Sequence, residues 1–154
     1  MKYLYAFDLS MSCTGIAIFD LDTYKPVHIS SIKTNNKDTH GVRLHVIREY
    51  IKGLIKQYPP YEIAIERGFS RHNTATQVLY RVHGVTNELL KDYKQYYYAP
   101  KTVKSTIVSG DATKKRIQDY IKKKFPEIEF NNEDESDAFA VGLTHLKKKY
   151  ELKL

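Results

Sequence analysis

Two short apolar runs, far apart in the chain, each stop at a carboxylate. Tyr3-Leu4-Tyr5-Ala6-Phe7 ends at Asp8, and Ile63-Ala64-Ile65 lies between Glu62 and Glu66. Runs of this length are too short for buried helices and suit buried strands. Polar Ser10 and Ser12 follow the first run, and Gly15 then opens another apolar stretch, Ile16-Ala17-Ile18-Phe19, which reads as the second arm of a hairpin. Residues 27–32 alternate well enough for a third strand, giving an antiparallel start.

From residue 39 to 58 the period changes. Val42, Val46, Ile47, Tyr50, Ile51, Leu54 and Ile55 recur at three- and four-residue steps, the mark of an amphipathic helix, and Pro59-Pro60 stops it. The run ending at Glu66 is then a fourth strand. Val78, Leu79, Val82, Val85, Leu89 and Leu90 define a second long helix, and residues 96–99 form a fifth strand before Pro100. Helices over 101–109, 112–125 and 133–150 complete the chain, the last with Phe139, Leu143, Leu146 and Tyr150 along one stripe. The order predicts an α/β fold with a five-stranded mixed sheet flanked by helices, and it matches the ribonuclease H-like architecture. No repeat or long linker interrupts residues 1–154, so a single domain is expected.

Asp8 closes the first strand and Glu66 the fourth. If those strands pair side by side, both carboxylates emerge at one edge of the sheet. Asp134 and Asp137 stand three apart at the start of the final helix, a spacing that shares one helical face. The partial positive charge of a helix N-terminus eases their proximity. Without a cation, four converging carboxylates repel one another and take up protons, and a bound divalent ion removes that conflict. Oxygen-only ligands select a hard ion, Mg2+ with Mn2+ able to substitute. Two such ions about 3.5–4 Å apart clamp the attacking and leaving oxygens of an in-line phosphoryl displacement, with no serine or cysteine nucleophile. Asp8, Glu66, Asp134 and Asp137 are therefore the candidate catalytic and metal-ligating residues. Singly, each has a plainer role: a turn for Asp8, a strand end for Glu66, a helix cap for Asp134 and a first-turn acid for Asp137.

The charge balance bears on the partner. Twenty-five basic residues against 18 acidic leave a net charge of +7, which favours a polyanion, either nucleic acid or an acidic membrane surface. Lys101, Lys104, Lys114, Lys115, Arg116 and lysines 122–124 cluster between Pro100 and Pro126, and the next stretch turns acidic. A basic segment running into an acidic pocket suits a metal nuclease, because lysines gather phosphates that the metal-bearing site then accepts. A solvated helix face is the alternative for residues 122–124. Arg67, Phe69, Arg71 and His72 follow Glu66 directly, and Gly68 and Ser70 suggest a loop in which Phe69 either wedges between bases or packs in the core. The three tyrosines at 96–98 read as strand core, and His45, His83 and His145 as packing or surface residues. The single cysteine, Cys13, excludes an internal disulfide and a cysteine-built zinc site and fits a reducing compartment.

Four boxes now stand in order: Ala6-Phe7-Asp8-Leu9-Ser10 through Thr14-Gly15, Ile63-Ala64-Ile65-Glu66-Arg67-Gly68-Phe69, Tyr98-Ala99-Pro100-Lys101-Thr102-Val103-Lys104, and Asp134-Glu135-Ser136-Asp137-Ala138. Together they resemble the RuvC family of Holliday junction resolvases. The resemblance implies a metal-dependent homodimer that binds a four-way or other branched DNA and nicks two strands symmetrically. It further implies that Phe69 inserts at the branch point, and that the helix over 73–91 carries the dimer contact. Lysines following the fifth strand, Lys104 and either Lys114 or Lys115, then meet phosphate. With Arg67, Arg71 and Lys101 these make up the expected nucleic-acid-binding set. The family's first box often has Pro-Gly after the aspartate, where this chain has Leu9-Ser10, a departure that suggests a divergent member of phage or mobile-element type.

Other readings remain at this point. An RNA-processing nuclease of the YqgF type keeps strand-end acids but has less use for a Phe69 wedge. A non-catalytic binder of branched nucleic acid gains nothing from carboxylates beside phosphate. A sugar-kinase-like nucleotide binder needs clustered glycines, which the seven present do not supply. The apolar run at the N-terminus is too short for a signal peptide or membrane span, so a soluble cytoplasmic protein is expected. A branch-migration helicase partner is not legible in the residues.

Overall fold

The computed structural model describes residues 1–68 and 73–154. Strands β1 (Tyr3–Asp8), β2 (Cys13–Asp20) and β3 (Pro26–Lys33) form an antiparallel meander. Helix α1 (His40–Gln57) crosses to β4 (Pro60–Glu66), and α2 (Asn73–Leu89) leads to β5 (Lys94–Tyr98). Three helices follow, α3 (Pro100–Ile107), α4 (Lys114–Lys124) and α5 (Glu133–Tyr150). The sheet order is β3-β2-β1-β4-β5, with β4 parallel to both β1 and β5. This is the mixed five-stranded sheet flanked by helices that the pattern predicted.

Side chains alternate across a strand, so each strand addresses two layers. On one face Tyr5, Phe7, Ile16, Ile18, Ile63 and Ile65 meet Ile47, Ile51 and Leu54 of α1 and Val82 of α2. On the other face Leu4, Ala6, Ala17, Phe19 and Ala64 receive α3, α4 and above all α5. That second floor is made of small residues at its centre, and it lets α5 lie close. Gly142 of α5 sits directly on the Phe19 ring, which also stacks on Phe139 with centroids 5.2 Å apart.

Local chemistry sets the element ends. Thr39 caps α1 by accepting from the Val42 amide, and Thr113 caps α4 by accepting from the Arg116 amide. Pro100 opens α3, where its missing N–H costs nothing. The fifth strand begins two residues earlier than its aromatic run suggests, because Lys94 and Gln95 pair with Glu62 and Ile63 at an edge that asks for no apolar signal. Val42 belongs to the apolar stripe of α1 by spacing yet is 50% exposed. Arg43 takes the buried position instead, its Nε donating to Thr34 Oγ1 at 2.7 Å.

A methyl group at Gly142 would collide with the Phe19 ring. Gly142→Ala should therefore destabilise the chain by about 1–3 kcal/mol, the usual cost of overpacking a filled core. Urea melts compare the two proteins, and equal midpoints would show that α5 does not seat this closely.

Candidate active site

The register of β1 and β4 brings two acids side by side. Phe7 pairs with Ile65, so Asp8 and Glu66 leave the sheet one step further along the same edge, both on the face covered by α5. The N-terminus of α5 is then fixed above them. Asn132 caps it by accepting from the Glu135 amide at 3.0 Å, and the Asn132 side-chain amide donates to Ser31 Oγ at 2.9 Å. Ser31 in turn donates to the carboxylate of Glu135, which is 1% exposed and also accepts from the Asn131 amide. Glu135 thus ties α5 to β3, while Asp134 and Asp137 are left to face Asp8.

Two further features hold the approach. Gly15 lies under the Asp134 carbonyl so closely that any side chain there would collide with it. The turn after Asp8 is shaped by hydroxyls: Ser10 Oγ donates to the Cys13 carbonyl and accepts from the Cys13 amide, and Thr14 Oγ1 donates to the Ser10 carbonyl. Leu9-Ser10 therefore makes its turn by side-chain hydrogen bonds.

Electrostatics register the crowding. Burial, then the charges of Asp137, Glu66 and Asp134, push the Asp8 carboxyl up to about 8, against the opposing Lys114. Burial and Asp137 push Glu66 up to about 7, opposed by Lys114 and Lys104. Asp137 is raised by burial, and Lys114 works against that rise. Lys114 Nζ stands 2.9 Å from Asp137 Oδ2 and 3.5 Å from Glu133 Oε2, and the bond to Asp137 holds its ammonium above the usual lysine range. Glu66, Lys104, Lys114 and Asp137 line a cavity of about 170 Å³ together with Val103 and Ile117.

The sequence-derived candidates divide on this geometry. Asp8, Glu66, Asp134 and Asp137 come together, with Lys104 and Lys114 beside them. Lys114, not Lys115, is the lysine at the pocket. Lys115 is exposed, and so is Lys101, whose side chain lies against Gly110. Arg67 is exposed and borders a neighbouring cavity with Tyr80, His83 and Tyr97. Phe69 and Arg71 lie outside the described residues. Gly15, Ser31, Asn132 and Glu135 escaped the sequence reading as positioning residues. Only the helix-capping place of Asn132, just before an acidic first turn, was a signal that could have found one of them.

Among the described residues, no three acidic, histidine or cysteine side chains stand within ligating reach of one point. The donor set nevertheless fits a hard cation, being all carboxylate and half-buried, with more negative than positive groups around it. The ammonium of Lys114 already stands where opposite charge is needed. Backbone placement has brought the acids to one pocket.

The fold is ribonuclease H-like, a mixed sheet with helices on both faces. The family model described as crossover junction endodeoxyribonuclease RuvC matches residues 8–145. A protein of that name from Wolbachia sp. subsp. Brugia malayi is 30% identical over 97% of this chain and 96% of its own length. Another from Alkaliphilus metalliredigens is 33% identical over 85% of this chain and 83% of its own. Thermus thermophilus RuvC, solved in complex with a Holliday junction substrate, superposes with a TM-score of 0.84 at 17% identity, covering 98% of this chain and 96% of that one. The chain belongs to the RuvC family of crossover junction endodeoxyribonucleases.

The folded-state values of Asp8 and Glu66 lie above their ordinary 3.8 and 4.5. These acids therefore favour the folded chain while protonated and oppose it once ionised. In chelator, the melting temperature should fall as the pH rises from about 5 to about 8.5, and Asp8→Asn should flatten much of that fall. Thermal melts across the interval check it. A wild-type profile as flat as the variant's would mean that the acids do not share a pocket.

Proposed function

We propose that this protein is a metal-dependent endonuclease that cuts branched DNA, resolving four-way junctions by paired nicks. The observation that carries the reading is the meeting of Asp8, Glu66, Asp134 and Asp137 around Lys114, at the edge of a sheet whose family is named for this reaction. Asp8, Glu66, Asp134 and Asp137 would hold Mg2+, with two ions per site and Mn2+ able to substitute. Bound there, the ions would supply the charge that lets a water attack phosphorus and an alkoxide leave.

The chain's own residues do the rest. Ionised Asp8 and Glu66 orient the metal-bearing edge, and Asp134 and Asp137 close it from the first turn of α5. Lys104 and Lys114 draw a phosphate toward the acids and offset their charge while the site is empty of substrate. Arg67, Lys101 and Lys115 are exposed and suit phosphates further along the strands. Phe69 and Arg71 follow Glu66 closely enough in the chain to meet the branch point. The apolar wall of Val103 and Ile117 keeps bulk water from one side of the cavity. A homodimer suits two symmetric cuts, and α2 offers a surface for it: Tyr80 is 59% exposed and Gly84 faces open space. No described helix is long and apolar enough to cross a membrane.

Asp8→Asn, Glu66→Gln and Asp137→Asn should each abolish cutting of a synthetic four-way junction in Mg2+ while leaving junction binding largely intact. Gel assays on junction, flap, duplex and structured RNA read this directly. A variant that cuts at near the wild-type rate, or preference for RNA, would overturn the proposal. Lys104→Ala should weaken junction binding and reduce the slope of log affinity against log salt by about one. An unaltered slope would remove that lysine from the phosphate contacts.

A further inference from the structure

Strand β4 presents α5 with a second carboxylate, at the end opposite the acids. Glu62 and Glu66 are four residues apart, so both point toward the same face. Glu62 is 2% exposed and fully engaged. Its Oε1 accepts from His145 Nε2 at 2.8 Å and from the Tyr150 hydroxyl at 2.5 Å, and its Oε2 accepts from Lys149 Nζ at 2.5 Å. His145 is completely buried. With its Nε2 proton donated to Glu62, its Nδ1 accepts from the Tyr98 hydroxyl at 2.7 Å. Lys149 also donates to the Tyr96 hydroxyl at 2.8 Å. Burial works to raise the Glu62 carboxyl, but the bonds from Lys149, Tyr150 and His145 outweigh it and hold the group below the ordinary carboxylate range.

The two ends of α5 therefore feel opposite forces from one strand. Near Asp137 the helix carries acids toward Asp8 and Glu66, where burial and like charge both disfavour the ionised carboxylates a cation would need. Near Lys149 it is drawn onto Glu62 by charge-assisted hydrogen bonds to a carboxylate that is itself buried, while the Lys149 side chain remains 37% exposed. Asp137 and Lys149 are about 18 Å apart along a rigid helix, so a small tilt at one end displaces the other. Metal–oxygen distances in a bound site lie within about 0.2 Å of their usual values, so the height of the first turn of α5 bears on how well its carboxylates can reach an ion.

We propose that Glu62, His145, Lys149 and Tyr150 form a positioning clasp that holds α5 down against the repulsion at its acidic end and so sets the divalent-cation affinity of the pocket. The proposal rests on the reading of Asp8, Glu66, Asp134 and Asp137 as the metal site. A clasp that merely stabilises the fold would lower the melting temperature and leave cation affinity alone.

Mn2+ binding, followed by the paramagnetic resonance signal of the free ion at room temperature, separates the two. Glu62→Gln should weaken Mn2+ binding about tenfold, the lower end of what loss of a ligand's direct hydrogen-bond partner costs, since Glu62 acts through the helix rather than on a ligand. Tyr150→Phe, which removes one hydroxyl and keeps the ring, should weaken it by a smaller factor and serves if Glu62→Gln does not fold. Leu54→Ala, in the α1 layer on the opposite face, should lower the melting temperature with Mn2+ affinity unchanged. If Glu62→Gln and Tyr150→Phe melt earlier but bind Mn2+ as the wild type does, or if Leu54→Ala weakens binding equally, the clasp is only structural. Glu66→Gln tests the underlying site: retained wild-type binding in that variant would overturn the metal reading itself, and the clasp with it.

Discussion

The seating of α5 on the centre of the sheet controls the geometry of every group argued to be functional. Ala6, Ala17 and Ala64 leave a shallow floor between the larger Leu4 and Phe19, and Gly15 and Gly142 remove the two side chains that would hold the helix off. Close approach of this kind is tolerant of little, since interiors are packed as densely as organic crystals. One methyl group at either glycine meets an immovable neighbour, backbone at Gly15 and a stacked ring at Gly142. The helix thus arrives at the sheet edge with its first turn at a defined height above Asp8 and Glu66.

That placement runs against local electrostatics. Four carboxylates in a half-buried pocket stabilise nothing by themselves, and the raised values of Asp8 and Glu66 are the measure of the conflict. The fold offsets it in three places. Lys114 brings an ammonium to Asp137, Glu135 turns a nearby fifth acid into an anchor through Ser31 and the Asn131 amide, and Glu62 grips the far end of the same helix. Local strain at a site, supported by well-satisfied surroundings, is the pattern expected where chemistry is placed ahead of stability.

Much of this was legible in the residues. The short apolar runs ending at Asp8 and Glu66, the proline stops and the three-residue spacing of Asp134 and Asp137 report directly on backbone geometry, and the order of elements then implied which strand ends meet. The Lys114 or Lys115 ambiguity could not be resolved by spacing, because a helix start shifts by a residue with its cap. Thr113 supplies that cap, which makes Lys114 the first helical residue, and the exposed Lys114 side chain reaches across to Asp137. Glu62 read only as a strand residue, since nothing local to it foretells partners more than eighty positions away in the chain. His145 looked like a packing residue for the same reason. Long-range polar networks have no periodicity, and each member is individually ordinary.

The backbone, and not attraction among side chains, gathers the acids, and this bears on how changes there are to be read. Asp8 and Glu66 sit at strand ends whose partners are Gly15 and Tyr98, paired through the main chain. Asp134 and Asp137 sit on a helix held by Asn132, Glu135 and the apolar face of Phe139 and Leu143. Of the four, Asp137 attracts Lys114, while Asp8 and Glu66 lie among like charges, so exchanging either of those carboxylates for its amide relieves repulsion without loosening the frame. Glu62 is the converse case, a carboxylate whose loss would strand a lysine and a buried imidazole without their partner. Two acids on one strand, four residues apart and facing the same helix, therefore carry opposite burdens: one is tolerated for what it can hold, and the other holds the helix that makes this possible.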